Sequence, residues 1–200
     1  MRVISAILAT AIAILCFASV VKERIHAYGL PPFAIDYRAA GVIAGIMLVR
    51  GIVALRGAAG VDTSLLFAIA AVAAITDLQY GYVFDRVLAV GGTAIVLADA
   101  VRGDVVEAFL GAVSAAAIVA LPWALSRARG MGLGDVKMAG VLGCGLGFYG
   151  AMRAIWYAFV LGAVFSIGCI VTRRCSRGDA LPFAPFIALG AVLSTLGAAW

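Results

Sequence analysis

The sequence predicts an all-α, polytopic helical membrane protein with about eight transmembrane helices, and a range of six to eight. Of its 200 residues, 65% are hydrophobic and only 12% are charged. Mean hydropathy is +1.14. A soluble domain carries roughly 25% charged residues because its surface faces water, and a chain this apolar has no such surface. The apolar residues also form continuous runs, near the length of about 20 residues that a bilayer crossing needs. They lack the apolar–polar alternation of a membrane β-barrel strand.

Taken in order, the first run covers 3–21. No convincing small-x-small cleavage site precedes Lys22, so it reads as a helix and not as a signal peptide. The second, 39–55, carries Arg50 near its end, where a long side chain can snorkel to the interface. The third, 62–76, ends at Asp77, the fourth covers 87–101 and the fifth 105–125. The sixth, 138–152, and seventh, 154–172, are divided at Arg153, and the eighth is 182–200. Gly41-x-x-x-Gly45 and Gly143-x-x-x-Gly147 suit close helix packing. With no long polar linker or low-complexity tract, residues 1–200 read as a single membrane domain.

Loop charges set the orientation. Lys22, Arg24, Arg38, Arg86, Arg127, Arg129, Lys137, Arg173, Arg174 and Arg177 are ten of the 15 basic residues, and all fall in odd-numbered connections. Arg2, Arg50, Arg56, Arg102 and Arg153 lie on the other side. The positive-inside rule then puts the odd connections in the cytoplasm and both termini outside. The net charge of +5 is thereby explained by the bilayer as partner, and no nucleic acid is expected. Cys16, Cys144, Cys169 and Cys175 have no C-x-x-C spacing and His26 is the only histidine, so no metal or cofactor is expected.

Carboxylates at membrane depth are costly and each needs a reason. Glu23, Asp36, Asp62, Asp104, Glu107 and Asp179 fall in loops or at span ends and read as solvated. Asp99 has Arg102 nearby as a compensating charge, and Asp85 sits beside Arg86. Asp77 and Asp135 are different. Though 58 positions apart, both are expected at cytoplasmic helix ends and at similar depth. Two carboxylates converging at a low-dielectric edge do not both ionise easily and tend to share a proton. The ionised one can activate water, and the protonated one can polarise a carbonyl and then protonate the leaving amine. Gly130, Gly132 and Gly134 can let an extended peptide approach Asp135. Lys137 reads equally well as a charge serving a carboxylate or an acidic substrate group, or as a snorkelling lysine.

Gly132-Leu133-Gly134-Asp135-Val136-Lys137 resembles the G-x-G-D-x-K motif of the type IV prepilin peptidases, a family of GxGD aspartyl proteases. Met138-Ala139-Gly140-Val141-Leu142-Gly143 is similar to the small-residue helix that follows it. Asp77 to Asp85 resembles the family's first aspartate motif, and Leu181-Pro182-Phe183-Ala184-Pro185-Phe186 its late Pro-Phe-Gly-Pro-Phe element. Val83-Phe84-Asp85 lacks the first motif's proline, and Ala184 replaces a glycine; neither change removes a reacting group. The resemblance covers roughly 62–200 as a peptidase core, leaving 1–56 as additional membrane helices. It implies Asp77 and Asp135 as the catalytic pair, supported by Gly132, Gly134, Lys137, Asp85, Pro182, Phe183 and Pro185. The implied substrate is a prepilin or pseudopilin precursor, whose short basic leader is cut off at the cytoplasmic face of the inner membrane.

Larger bacterial members of that family have a cytoplasmic insert with paired C-x-x-C motifs that binds zinc, and are associated with N-methylation. This chain has neither those cysteines nor a loop of that size. It is closer to the compact peptidases of tight-adherence (Flp-type) pilus systems or to preflagellin peptidases, and methyltransferase activity is not assigned. An intramembrane GxGD protease of the presenilin or signal-peptide-peptidase type is the alternative enzyme, to which Leu133 is equally suited. A proton-coupled transporter using both aspartates as a relay is the alternative outside enzymes.

Overall fold

The structure, a computed structural model, describes residues 10–12, 14, 61–125, 131–173 and 182–197. Among the described residues there are helices and turns and no strand. The spans expected at 3–21 and 39–55 lie outside them, apart from helical 10–12 and 14, and so does Gly41-x-x-x-Gly45.

Helix α1, Val61–Tyr80, is the centre of the bundle. Every residue from Leu66 to Ile75 is at most 1% exposed, as befits a helix that is apolar on all sides. It runs one turn beyond the expected end at residue 76. The stop comes at Gly81, whose φ of 63° lets its N–H reach back to the Asp77 carbonyl at 2.8 Å. Asp77 therefore sits inside the last helical turn.

Helix α2, Asp85–Arg102, opens at the Phe84 carbonyl and is closed by Gly103 in the left-handed conformation. Helix α3, Val105–Leu125, follows directly, with the Asp104 carbonyl accepting the Ala108 N–H at 3.0 Å. Next come helix α4, Leu133–Val171, and helix α5, Ala184–Gly197. α3 and α4 are long and apolar enough to cross a membrane, yet only 22% of their apolar windows is buried. Phe109, Leu121, Leu125, Trp156, Phe165 and Val171 point out of the protein. A soluble core helix would hide such side chains, whereas lipid accepts them.

The expected division between the sixth and seventh spans at Arg153 is corrected. α4 is two helical arms that meet at Gly147, whose φ of 65° and ψ of 178° are non-helical, so the division falls at Gly147 and not at Arg153. A break at positive φ favours glycine, and Arg153 lies within regular helix. Up to Gly147 the chain packs on α3. A Cβ on Gly111 would collide with the Gly143 carbonyl, and Gly140 lies over Ala112 and Ala116. This is the close approach expected of Gly143 and Gly147. Beyond the break the chain packs on α5, where Gly190 lies against Ala154 and Gly162 against Phe183. In a straight helix Asp135 and Gly162 would be about 40 Å apart. Both instead lie near the start of α5, so the second arm turns back at Gly147.

Glu107, expected to be simply solvated, marks the turn. Its carboxylate accepts the Phe148 N–H at 3.2 Å and caps the second arm as an acid at a helix N-terminus does. Asp99 is buried as a structural acid, with Arg102 Nη1 at 3.7 Å and Cys144 Sγ at 3.9 Å.

Candidate active site

Asp135 stands at the third position of α4, which starts at Leu133, five residues earlier than the expected span start at 138. Gly132 is the extended cap residue, at φ −80° and ψ 150°. Its N–H donates to Asp135 Oδ2 at 3.1 Å, and its carbonyl accepts the Asp135 N–H at 3.2 Å. This is the acidic half of a capping box, and the helix N-terminus favours the negative charge. Asp135 is 6% exposed. A Cβ on Gly134 would stand 3.2 Å from Val83 Cβ. That glycine therefore admits the segment after α1, and Gly130 lies outside the described residues.

Asp77, 8% exposed, has its carboxylate held from the far end of the chain. Its Oδ2 accepts the backbone N–H of Ala184 at 3.1 Å, across 107 positions of sequence. The local reason is the start of α5. The Phe183 carbonyl accepts the N–H groups of Phe186 and Ile187 at 3.0 and 3.2 Å, which makes Phe183 the cap. The Ala184 N–H, in the first turn, has no acceptor within the helix. Pro185 fits there because a first-turn proline forfeits no helical bond. Phe183 is fixed by ring contacts to Phe159 at 5.4 Å and Phe186 at 6.1 Å. Pro182 lies just before it, half-buried.

The two carboxylates are thus brought together from distant segments, near enough for the charge of Asp77 to act on Asp135. Both are nearly closed to solvent and each is oriented by a main-chain N–H. Asp85 and Lys137 join the same neighbourhood. Lys137 Nζ donates to both Asp85 carboxylate oxygens at 2.9 Å, so Asp85 pairs with Lys137 and not with its neighbour Arg86. Of the readings weighed for Lys137 from the sequence, this is a charge serving a carboxylate, with Asp85 as that carboxylate. The Ala184 N–H was not foreseen, since a backbone donor has no side-chain signature. Its position inside Pro182-Phe183-Ala184-Pro185 was the available signal.

Comparison with known proteins follows the same segments. The model of the type IV leader peptidase family matches residues 64–167, a stretch that holds both aspartates. Over 67 residues the chain is 36% identical to a prepilin leader peptidase/N-methyltransferase of Bacillus subtilis, covering 34% of this chain and 27% of that protein. Over 94 residues it is 31% identical to one from Aeromonas salmonicida, covering 45% of this chain and 32% of the relative. The match thus spans about a third of the length of these curated relatives. No solved structure matches. With more than half of its length matched by the family model, and both acids inside that match, the chain belongs to the type IV leader peptidase family.

Proposed function

We propose that the chain is a membrane-embedded aspartyl endopeptidase that removes the short basic leader from prepilin-like or pseudopilin precursors. One observation carries this reading above others. Two buried carboxylates from distant segments, Asp77 and Asp135, interact electrostatically, and each is held by a backbone N–H. In the proposed reaction the ionised carboxylate takes a proton from water as the oxygen attacks the scissile carbonyl carbon. The protonated carboxyl donates to the carbonyl oxygen, giving a neutral tetrahedral diol. Collapse breaks the C–N bond while the protonated carboxyl gives its proton to the leaving amine nitrogen and the other carboxylate takes one from a diol hydroxyl, so the new carboxyl product is released and the pair again holds one proton.

The loop-charge asymmetry supports a site facing the cytoplasm, where a basic leader is retained. A proton-relay transporter is less well supported. The break at Gly147, the kind of feature on which such sites are built, lies at the Glu107 end of the bundle and not at the aspartates.

The test is cleavage of a purified prepilin by the purified chain, with Asp77→Asn and Asp135→Asn at matched folding. Each variant is expected to lose about 10²- to 10⁴-fold in rate. Near-normal cleavage by either variant removes that aspartate from the mechanism.

A further inference from the structure

We propose that Lys137 and Asp85 form a positioning pair that fixes the placement of the Asp77 and Asp135 carboxylates relative to one another. The proposal rests on the peptidase reading above. Each member of the pair is tied closely to one acid. Lys137 lies two residues after Asp135 in the first turn of α4, and Asp85 opens α2 eight residues after Asp77. Between Asp77 and Asp85 the backbone leaves α1 through Gly81, at φ 63°, and passes exposed Tyr82 before it re-enters the protein. Val83 and Phe84 are each only 4% exposed. The segment is therefore pinned at its middle against Gly134, 3.2 Å from where a Cβ would stand, and at its end by Lys137.

The pair's geometry fits a tie. Nζ reaches both carboxylate oxygens at 2.9 Å across 52 positions of sequence. The side chains are 46% and 56% exposed. A pair in that setting adds little to overall stability, but it can still select one register between two segments. Here those segments are the two that carry the acids. Lys137 engaged in this way is not offered to an acidic group of the substrate.

The experiment measures kcat and KM for prepilin cleavage by Lys137→Met, Asp85→Asn and the charge-swapped Asp85→Lys/Lys137→Asp, all in the full chain. Each single variant is expected to lose about 10- to 100-fold in kcat, as a misplacement near 1 Å would. KM should stay within about threefold of the wild type, and the melting midpoint should move by no more than about 4 °C. The swap is expected to recover most of kcat. Unchanged kcat in the single variants overturns the proposal, as does a swap no better than either. A rise in KM with kcat intact also overturns it, by making Lys137 a substrate contact. Hydrogen exchange of the backbone at 78–85 and 132–137 provides a readout independent of cleavage. It should quicken in Lys137→Met and slow again in the swap. If the wild type cuts no prepilin, the peptidase reading falls while exchange still decides the tie. Unchanged exchange in Lys137→Met then overturns it.

Discussion

Replacing Gly143 with alanine tests whether the seam between α3 and the first arm of α4 sets the position of Asp135. A Cβ at Gly143 would stand 2.5 Å from the Gly111 carbonyl oxygen and 2.8 Å from Ala115 Cβ, where ordinary contact begins near 3.4 Å. Its nearest neighbour is backbone, which cannot swing aside as the tip of a flexible side chain does. The helices must therefore part by about 0.9 Å at that point. Overpacking of this kind costs about 1–3 kcal/mol, or a fall of about 2–12 °C in melting midpoint for a chain of this size. Asp135 lies eight residues earlier on the same arm, about 12 Å along the axis. A rigid arm passes a shift of that order to the carboxylate, and misplacement near 1 Å costs about 100-fold in rate. Melting of the purified protein and single-turnover cleavage of a prepilin give the two readouts. Gly168→Ala is the control, because a Cβ there meets nothing within 4 Å, and it should be neutral or stabilising by up to about 1 kcal/mol. If Gly143→Ala melts and cleaves like Gly168→Ala, the seam does not position the acid.

Two more expectations concern the other acids. Glu107→Ala removes the carboxylate that caps Phe148 and should cost about 0.5–1 kcal/mol, read as a small drop in melting midpoint, with Glu107→Gln falling between. Asp99→Asn weakens the buried contact with Arg102 and Cys144. It should cost about 1–3 kcal/mol in a thermal melt while the purified variant still cleaves prepilin. Lost cleavage at unchanged stability would instead move Asp99 into the mechanism.

Much of this arrangement was legible in the sequence because cost exposes it. Asp77 and Asp135 stood out as acids at membrane depth, and loop charges alone assigned them to one face. Gly143 and Gly147 were readable as packing residues from their spacing. Helix ends were less readable where the apolar run stops before the helix does. Leu78, Gln79 and Tyr80 continue α1 beyond residue 76 because nothing breaks it until Gly81. The same holds at Leu133, where a polar first turn precedes the apolar run at 138. Arg153 was a misleading boundary, since a basic residue signals a membrane edge only when it is not folded back among other helices. Gly147 breaks the chain through a positive φ, which hydropathy does not register. The Ala184 N–H and the Lys137–Asp85 pair depend on which distant segments meet, and only the fold decides that.

The bond from Ala184 to Asp77 also imposes an order in time. The donor is translated 107 residues after the acid it holds, an interval on the order of 5–20 s at ordinary synthesis rates of about 5–20 residues per second. Throughout that interval Asp77 has already been made, but the helix that orients its carboxylate does not yet exist. A nascent chain thus carries both acids before it carries the means to align them, and the Asp77 carboxylate gains its backbone donor only when α5 docks. Truncation before Ala184 would leave both aspartates in the polypeptide without the strut that orients the first.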